Sequence, residues 1–172
     1  MFADETTILG AGQVRSVQTL AVPSLRLAPG RAEAEEAGRA YFAYLDRLAR
    51  PVLRVRRSPS DGVAIRLCGV TLLSFGPPEI VVEPGTAAIR FPIAAGLLVR
   101  RGSKDRGELR FELHAERLVM AVEGYYPALA GSGNSSFRRW LYGHTQAAVH
   151  RRVAARYLDE WLDRLTTCRV RP

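Results

Sequence analysis

A chain of 172 residues, 47% hydrophobic and 24% charged, is long enough for one substantial core and belongs with globular rather than disordered proteins. No run of about 20 apolar residues exists to span a bilayer, and the opening MFADETTILGAG has no basic-then-apolar progression, so a cytoplasmic location without a secretory leader is expected. The net charge of +8 favours anionic partners, but it is spread along the chain as arginine, Lys104 being the only lysine, and a GC-rich coding bias alone produces such a composition.

In chain order, residues 1–12 have weak periodicity and are expected to form a flexible leader before a single domain at 13–168. QVRSVQTLAV (13–22) is short, rich in β-branched residues and ended by Pro23, which suits a first strand. RAEAEEAGRAYFAYLDRLAR (31–50) has acids in its first turns and stops before Pro51, so a helix is expected there. Ala37, Tyr41, Tyr44, Leu45 and Leu48 make its apolar face, and Gly38 offers a point at which it divides.

From residue 52 the chain turns to short β-type segments separated by Ser-Pro-Ser-Asp-Gly, Gly-Pro-Pro and Pro-Gly signals. Leu109, Phe111 and Leu113 alternate with Arg110, Glu112 and His114, and Ile89, Phe91 and Ile93 flank Arg90. One packed and one wet face predict an antiparallel meander of six or seven strands. GSGNSS (131–136) breaks this pattern and offers Asn134, Ser135 or Ser136 as the cap of a last helix, predicted over 137–165. Strands in succession with helices at either end predict an α+β domain with one sheet.

The last helix sorts by face at 100° per residue. Arg152, Arg156, Asp159, Asp163 and Thr145 share a solvated side. Trp140, Gly143, Ala147, Ala154, Leu158, Trp161, Leu162 and Leu165 share the other, with small residues along its first half. His150 falls on the apolar side, and His144 and Arg151 nearer its border. Each has a plain reading as a border residue bonded locally, with Arg151 reaching out to water. If they face inward, a sheet carboxylate, water or a ligand must satisfy them, because an unpartnered buried polar group costs about 1–3 kcal/mol.

Other chemistry finds little support. His144 and His150 lie ~9 Å apart along a helix axis and so do not readily share a metal ion, and the sequence has no His-Glu-x-x-His or paired-cysteine spacing. Cys68 and Cys168 are too few and too distant for a framework, and Cys68 is expected to pack as a small hydrophobe. No metal or cofactor is expected.

The order of VRSVQTLAVP, helical stretch, meander, LVMAVEGYYPAL, Gly/Ser loop and long helix from Phe137 resembles the START-like, or polyketide-cyclase-like, helix-grip superfamily. That resemblance implies a curved antiparallel sheet wrapped on the C-terminal helix, with a cavity between them for a hydrophobic ligand. It implies no fixed catalytic constellation. The site residues expected on this basis are Trp140, His144, Ala147, His150 and Arg151 from the helix, joined by Phe91, Phe111, Tyr125 and Tyr126 from the sheet and its last loop. Three functions remain open: a binding protein for a hydrophobic or aromatic small molecule, a cyclase or dehydratase of polyketide-like intermediates using a histidine as acid or base, and a basic interaction module. The last needs one continuous arginine patch to meet an acidic protein or nucleic acid.

Overall fold

Apolar–polar alternation governs most of the chain and builds one antiparallel sheet. The computed structural model describes residues 1–9, 13–23, 29–48, 50–58, 62–100, 107–126 and 148–169. The strands are β1 (Phe2–Ile8), β2 (Val14–Ala21), β3 (Leu53–Ser58), β4 (Gly62–Leu67), β5 (Val70–Phe75), β6 (Glu79–Glu83), β7 (Thr86–Ala95), β8 (Gly107–His114) and β9 (Arg117–Tyr125). Helix α1 (Arg31–Leu48) lies between β2 and β3 in the chain, and α2 (Ala148–Arg169) follows the last strand. The protein is therefore α+β, as its element order predicted.

Side by side the strands run β1-β2-β9-β8-β7-β5-β4-β3. Strand β6 pairs with the Thr86–Arg90 half of β7, while β5 pairs with Ile93 and Ala95. Both therefore share the β7 edge that faces away from β8. The terminal strands β1 and β3 do not pair with each other, so the sheet is open rather than a closed barrel.

The register sets the inner face. Gln18, Met120, Phe111 and Ile89 form one row across four strands, and Leu20, Leu118, Leu113 and Ala87 another. Phe111, Leu113, Leu118 and Met120 are wholly buried. Each removes about 1.5–3 kcal/mol worth of apolar surface from water. The outer face is charged: Arg110 meets Glu108, Glu112 and Glu123, and Arg15 bridges Glu5 and Glu123. His114 lies on this face too, its ring nitrogens 3.2 Å from Thr86 and from Glu112.

Helix α1 is continuous through Gly38, contrary to the break the glycine suggested. A Cβ at that position would lie 2.7 Å from the Phe91 ring and 3.2 Å from Ile89 Cδ1. The glycine thus lets the helix seat directly on β7, and this contact outweighs the roughly 0.5–1 kcal/mol that glycine costs within a helix. Ala34, Ala37, Tyr41, Phe42 and Tyr44 are buried. Leu48, assigned to the same apolar face, is instead 46% exposed, because it is the final helical residue and lies past the covered part of that face. On α2 the sorting by face agrees with the structure: Ala154, Leu158 and Trp161 are buried, and Arg152, Arg156, Asp159 and Asp163 are exposed. The described helix continues to Arg169, and the predicted start at 137–147 lies outside the described residues.

Two further expectations are corrected. Residues 2–8 are not a loose leader but strand β1, paired along its length with β2. Cys68 is not packed but exposed, in the two-residue turn between Leu67 and Val70. Its φ of 46° and the 86° of Gly69 belong to the mirror-image turn that matches the twist of a hairpin. Here turn geometry, rather than apolar packing, decides where the thiol sits. Cys168 lies in α2, and its side chain is outside the described part.

Candidate ligand cavity

The inner face is filled unevenly. Under α1 an aromatic cluster closes it: Phe42 sits 5.1 Å from Phe91 and 5.4 Å from Phe75 between ring centroids, and Tyr41 sits 5.1 Å from both Phe111 and Tyr157. Toward the other end of the strands a cavity of about 200 Å³ remains. Ile93, Leu109 and Val122 form its floor, while Leu53, Ile65, Leu73 and Phe75 wall it from β3, β4 and β5. Tyr41 and Leu45 of α1 and Val153 of α2 cover it.

The segment after β7 closes one end. Leu97 and Leu98 donate backbone N–H groups to Thr71 and Leu72, and Arg100 donates to the Tyr126 carbonyl. The Tyr125 hydroxyl, at the close of β9, donates to the Leu98 carbonyl at 2.6 Å. Leu98 is thereby held against the cavity from both sides.

Three described side chains bring oxygen to this apolar space: Ser16, Tyr41 and Tyr125. Ser16 belongs to a buried polar group at the β1–β2 edge. Gln18, with no exposed surface, donates from Nε2 to Asp4 Oδ1 at 2.7 Å and to Ser16 Oγ at 2.8 Å. Thr6 Oγ1 lies 2.8 Å from Ser16 Oγ and donates to Asp4 at 3.5 Å. With the threonine proton directed at Asp4, the serine proton goes to Thr6, and Ser16 Oγ keeps one open lone pair. Gln18 Oε1 is buried without a partner.

Tyr41 differs from Tyr125 and Tyr157. Tyr157 donates to the Ala37 carbonyl at 2.6 Å and Tyr125 to Leu98, whereas the Tyr41 hydroxyl makes no hydrogen bond to a described residue. The residue is 5% exposed and lines the cavity. Burial, and then the neighbouring Tyr44, push its phenol well above the ordinary tyrosine range, so it stays a neutral donor. No charged side chain lines the cavity among the described residues.

The residues expected at a site are distributed as follows. Tyr125 lines the cavity. Phe91 and Phe111 belong to the packed cluster beneath α1, and Phe91 touches a second concavity of about 470 Å³ edged by Arg31, Glu35, Arg39 and Arg57. Tyr126 contributes its carbonyl to the Arg100 contact. Trp140, His144 and Ala147 lie outside the described residues, as do the side chains of His150 and Arg151, whose backbone begins α2.

Ser16 and Tyr41 were missed from sequence. The signal for Ser16 was available: Val14, Ser16, Gln18 and Leu20 share the buried phase of β2, so two polar residues occupy core positions. Nothing in the helical pattern distinguishes Tyr41 from any other core aromatic.

The arginine excess is partly accounted for by ion pairs. Arg15, Arg31, Arg39, Arg47, Arg50, Arg110 and Arg164 each meet a carboxylate. No helix among the described residues is long and apolar enough to cross a membrane. A scan against family models found no match, and searches of curated proteins and of solved structures found no significant match either.

Proposed function

We propose that this chain is a small-molecule binding protein of helix-grip type, holding an apolar ligand of about one ring between its sheet and its two helices. The observation that carries this reading is the apolar cavity of about 200 Å³ between the sheet and the helices, lined by Tyr41 among others. A dry cavity of about 150 Å³ accepts a benzene-sized molecule, which sets the scale of ligand. The strand order supports the helix-grip resemblance: β2, before the first helix, lies beside the last strand, and α2 follows that strand onto the inner face.

Binding is put first because the described lining is mostly apolar with a few hydroxyl-bearing side chains, the usual make-up of a small-molecule site. It is preferred to a basic interaction module because many arginines already meet acidic partners, several of them across the sheet's outer face.

The test is thermal unfolding with and without cumene, an uncharged single-ring probe. A ligand that binds only the folded state raises the melting temperature. Cumene is expected to raise that of the natural chain and not that of Val122→Phe, whose new ring occupies the cavity. No rise in the natural chain, or an equal rise in both, refutes the reading.

A further inference from the structure

We infer that the described walls of the cavity take an uncharged part of a ligand bearing a hydrogen-bond acceptor, a ketone, ester or ether oxygen or a hydroxyl, and that Tyr41 is the residue that addresses it. This rests on the cavity being a ligand site and adds the ligand's chemistry.

Charge is decided first. The described lining contains no cation to meet a carboxylate or phosphate and no anion to meet an amine. An ion taken into such a space loses its hydration without compensation, a penalty far larger than apolar contacts return. The ligand is therefore uncharged where it lies against these walls.

Polarity is decided by which groups already have partners. Tyr125 spends its proton on Leu98, and Ser16 stands within the Asp4–Thr6–Gln18 network, able only to accept. Tyr41 alone among these three has an O–H that donates to no described residue. A donor on a cavity wall that no described residue engages is where a bound molecule would supply the acceptor.

Orientation is decided by packing. Phe111 and Tyr157 lie 5.1 Å from the Tyr41 ring, and Phe42 lies 5.4 Å away, at tilted or edge-on angles. The ring is held by rigid neighbours from β8 and α2, so the hydroxyl is in position before a ligand arrives. Preorganisation of this kind lowers the cost of binding.

The experiment uses two probes of nearly equal shape, acetophenone, which carries a carbonyl, and cumene, which carries a methyl in its place. Their dissociation constants are measured by NMR titration on the full chain and on Tyr41→Phe. The variant is expected to weaken acetophenone about fivefold to tenfold and to leave cumene within about twofold. In the natural chain the carbonyl stretch of bound acetophenone is expected to lie below its value in an apolar solvent, and this readout needs no variant. An acetophenone affinity unchanged in Tyr41→Phe, a parallel loss for both probes, or a bound carbonyl stretch at the apolar-solvent value overturns the assignment to Tyr41 while leaving the cavity reading intact. If neither probe binds the natural chain, the cavity reading itself fails and this inference fails with it.

Discussion

One inner sheet face carries two regions built on opposite terms. Beneath α1 the fit is close: Gly38 lies against Phe91, whose ring meets Phe42 and Phe111 at 5.1 and 6.3 Å between centroids, and the 470 Å³ concavity beside them opens among charged side chains. Toward Val122, Ile93 and Leu73 the same face carries equally apolar residues, yet about 200 Å³ stays unfilled. Hydrophobicity alone does not separate these regions. The difference is that α1 delivers small residues and rings to the first, whereas among the described residues of the helices Tyr41, Leu45 and Val153 reach over the second. Protein interiors ordinarily pack as densely as organic crystals, so an apolar gap beside a tight core points to a purpose other than stability.

The contrast predicts unequal costs. Phe111→Ala should be the most damaging, because it opens a void where packing is already complete: a loss of about 3–5 kcal/mol in denaturant unfolding is expected. A loss below about 1 kcal/mol would mean that the region under α1 is looser than the ring contacts imply. Gly38→Val comes next, at about 1–3 kcal/mol, since its Cβ alone would stand 2.7 Å from Phe91, closer than a Cβ tolerates, and 3.2 Å from Ile89. Unchanged stability would show that α1 can lift from β7 freely.

The smallest effect belongs to the surface joint between the helices, where Arg47 meets both oxygens of Glu160 at 2.7 and 2.5 Å. The Arg47 guanidinium, with a smaller part from Arg164, holds the Glu160 carboxyl below the ordinary glutamate range. A carboxyl depressed by folding adds stability above its unfolded value of about 4.3, and that stability is lost as pH falls through the folded value. Arg47→Ala should therefore cost less than about 1 kcal/mol at pH 7, and the difference from the natural chain should shrink in acid. A difference that stays constant across that range would remove the ion pair as its origin.

The close-packed region was far more legible in the sequence than the cavity. Its strands announce themselves by alternation, as in Leu109, Phe111 and Leu113, and the solvated side of α2 by its spacing of Arg152, Arg156, Asp159 and Asp163. Gly38 left a break in α1 open in the sequence, because its role is contact with β7, which no local pattern records. Strand β1 was missed because its inward residues are Asp4 and Thr6, which face the polar Ser16 and Gln18 instead of an apolar core, so no hydrophobic period appears. A cavity has still less signature. It is defined by what neighbouring elements fail to fill, and Tyr41 is set apart by its place on that space rather than by its residue type.

The most direct test of this contrast follows methyl resonances during a cumene titration. Saturable shifts are expected at Leu45, Leu73, Ile93, Leu109, Val122 and Val153, with Leu113 and Leu118 unmoved. Shifts spread evenly over both sets, or none that saturate, would contradict it.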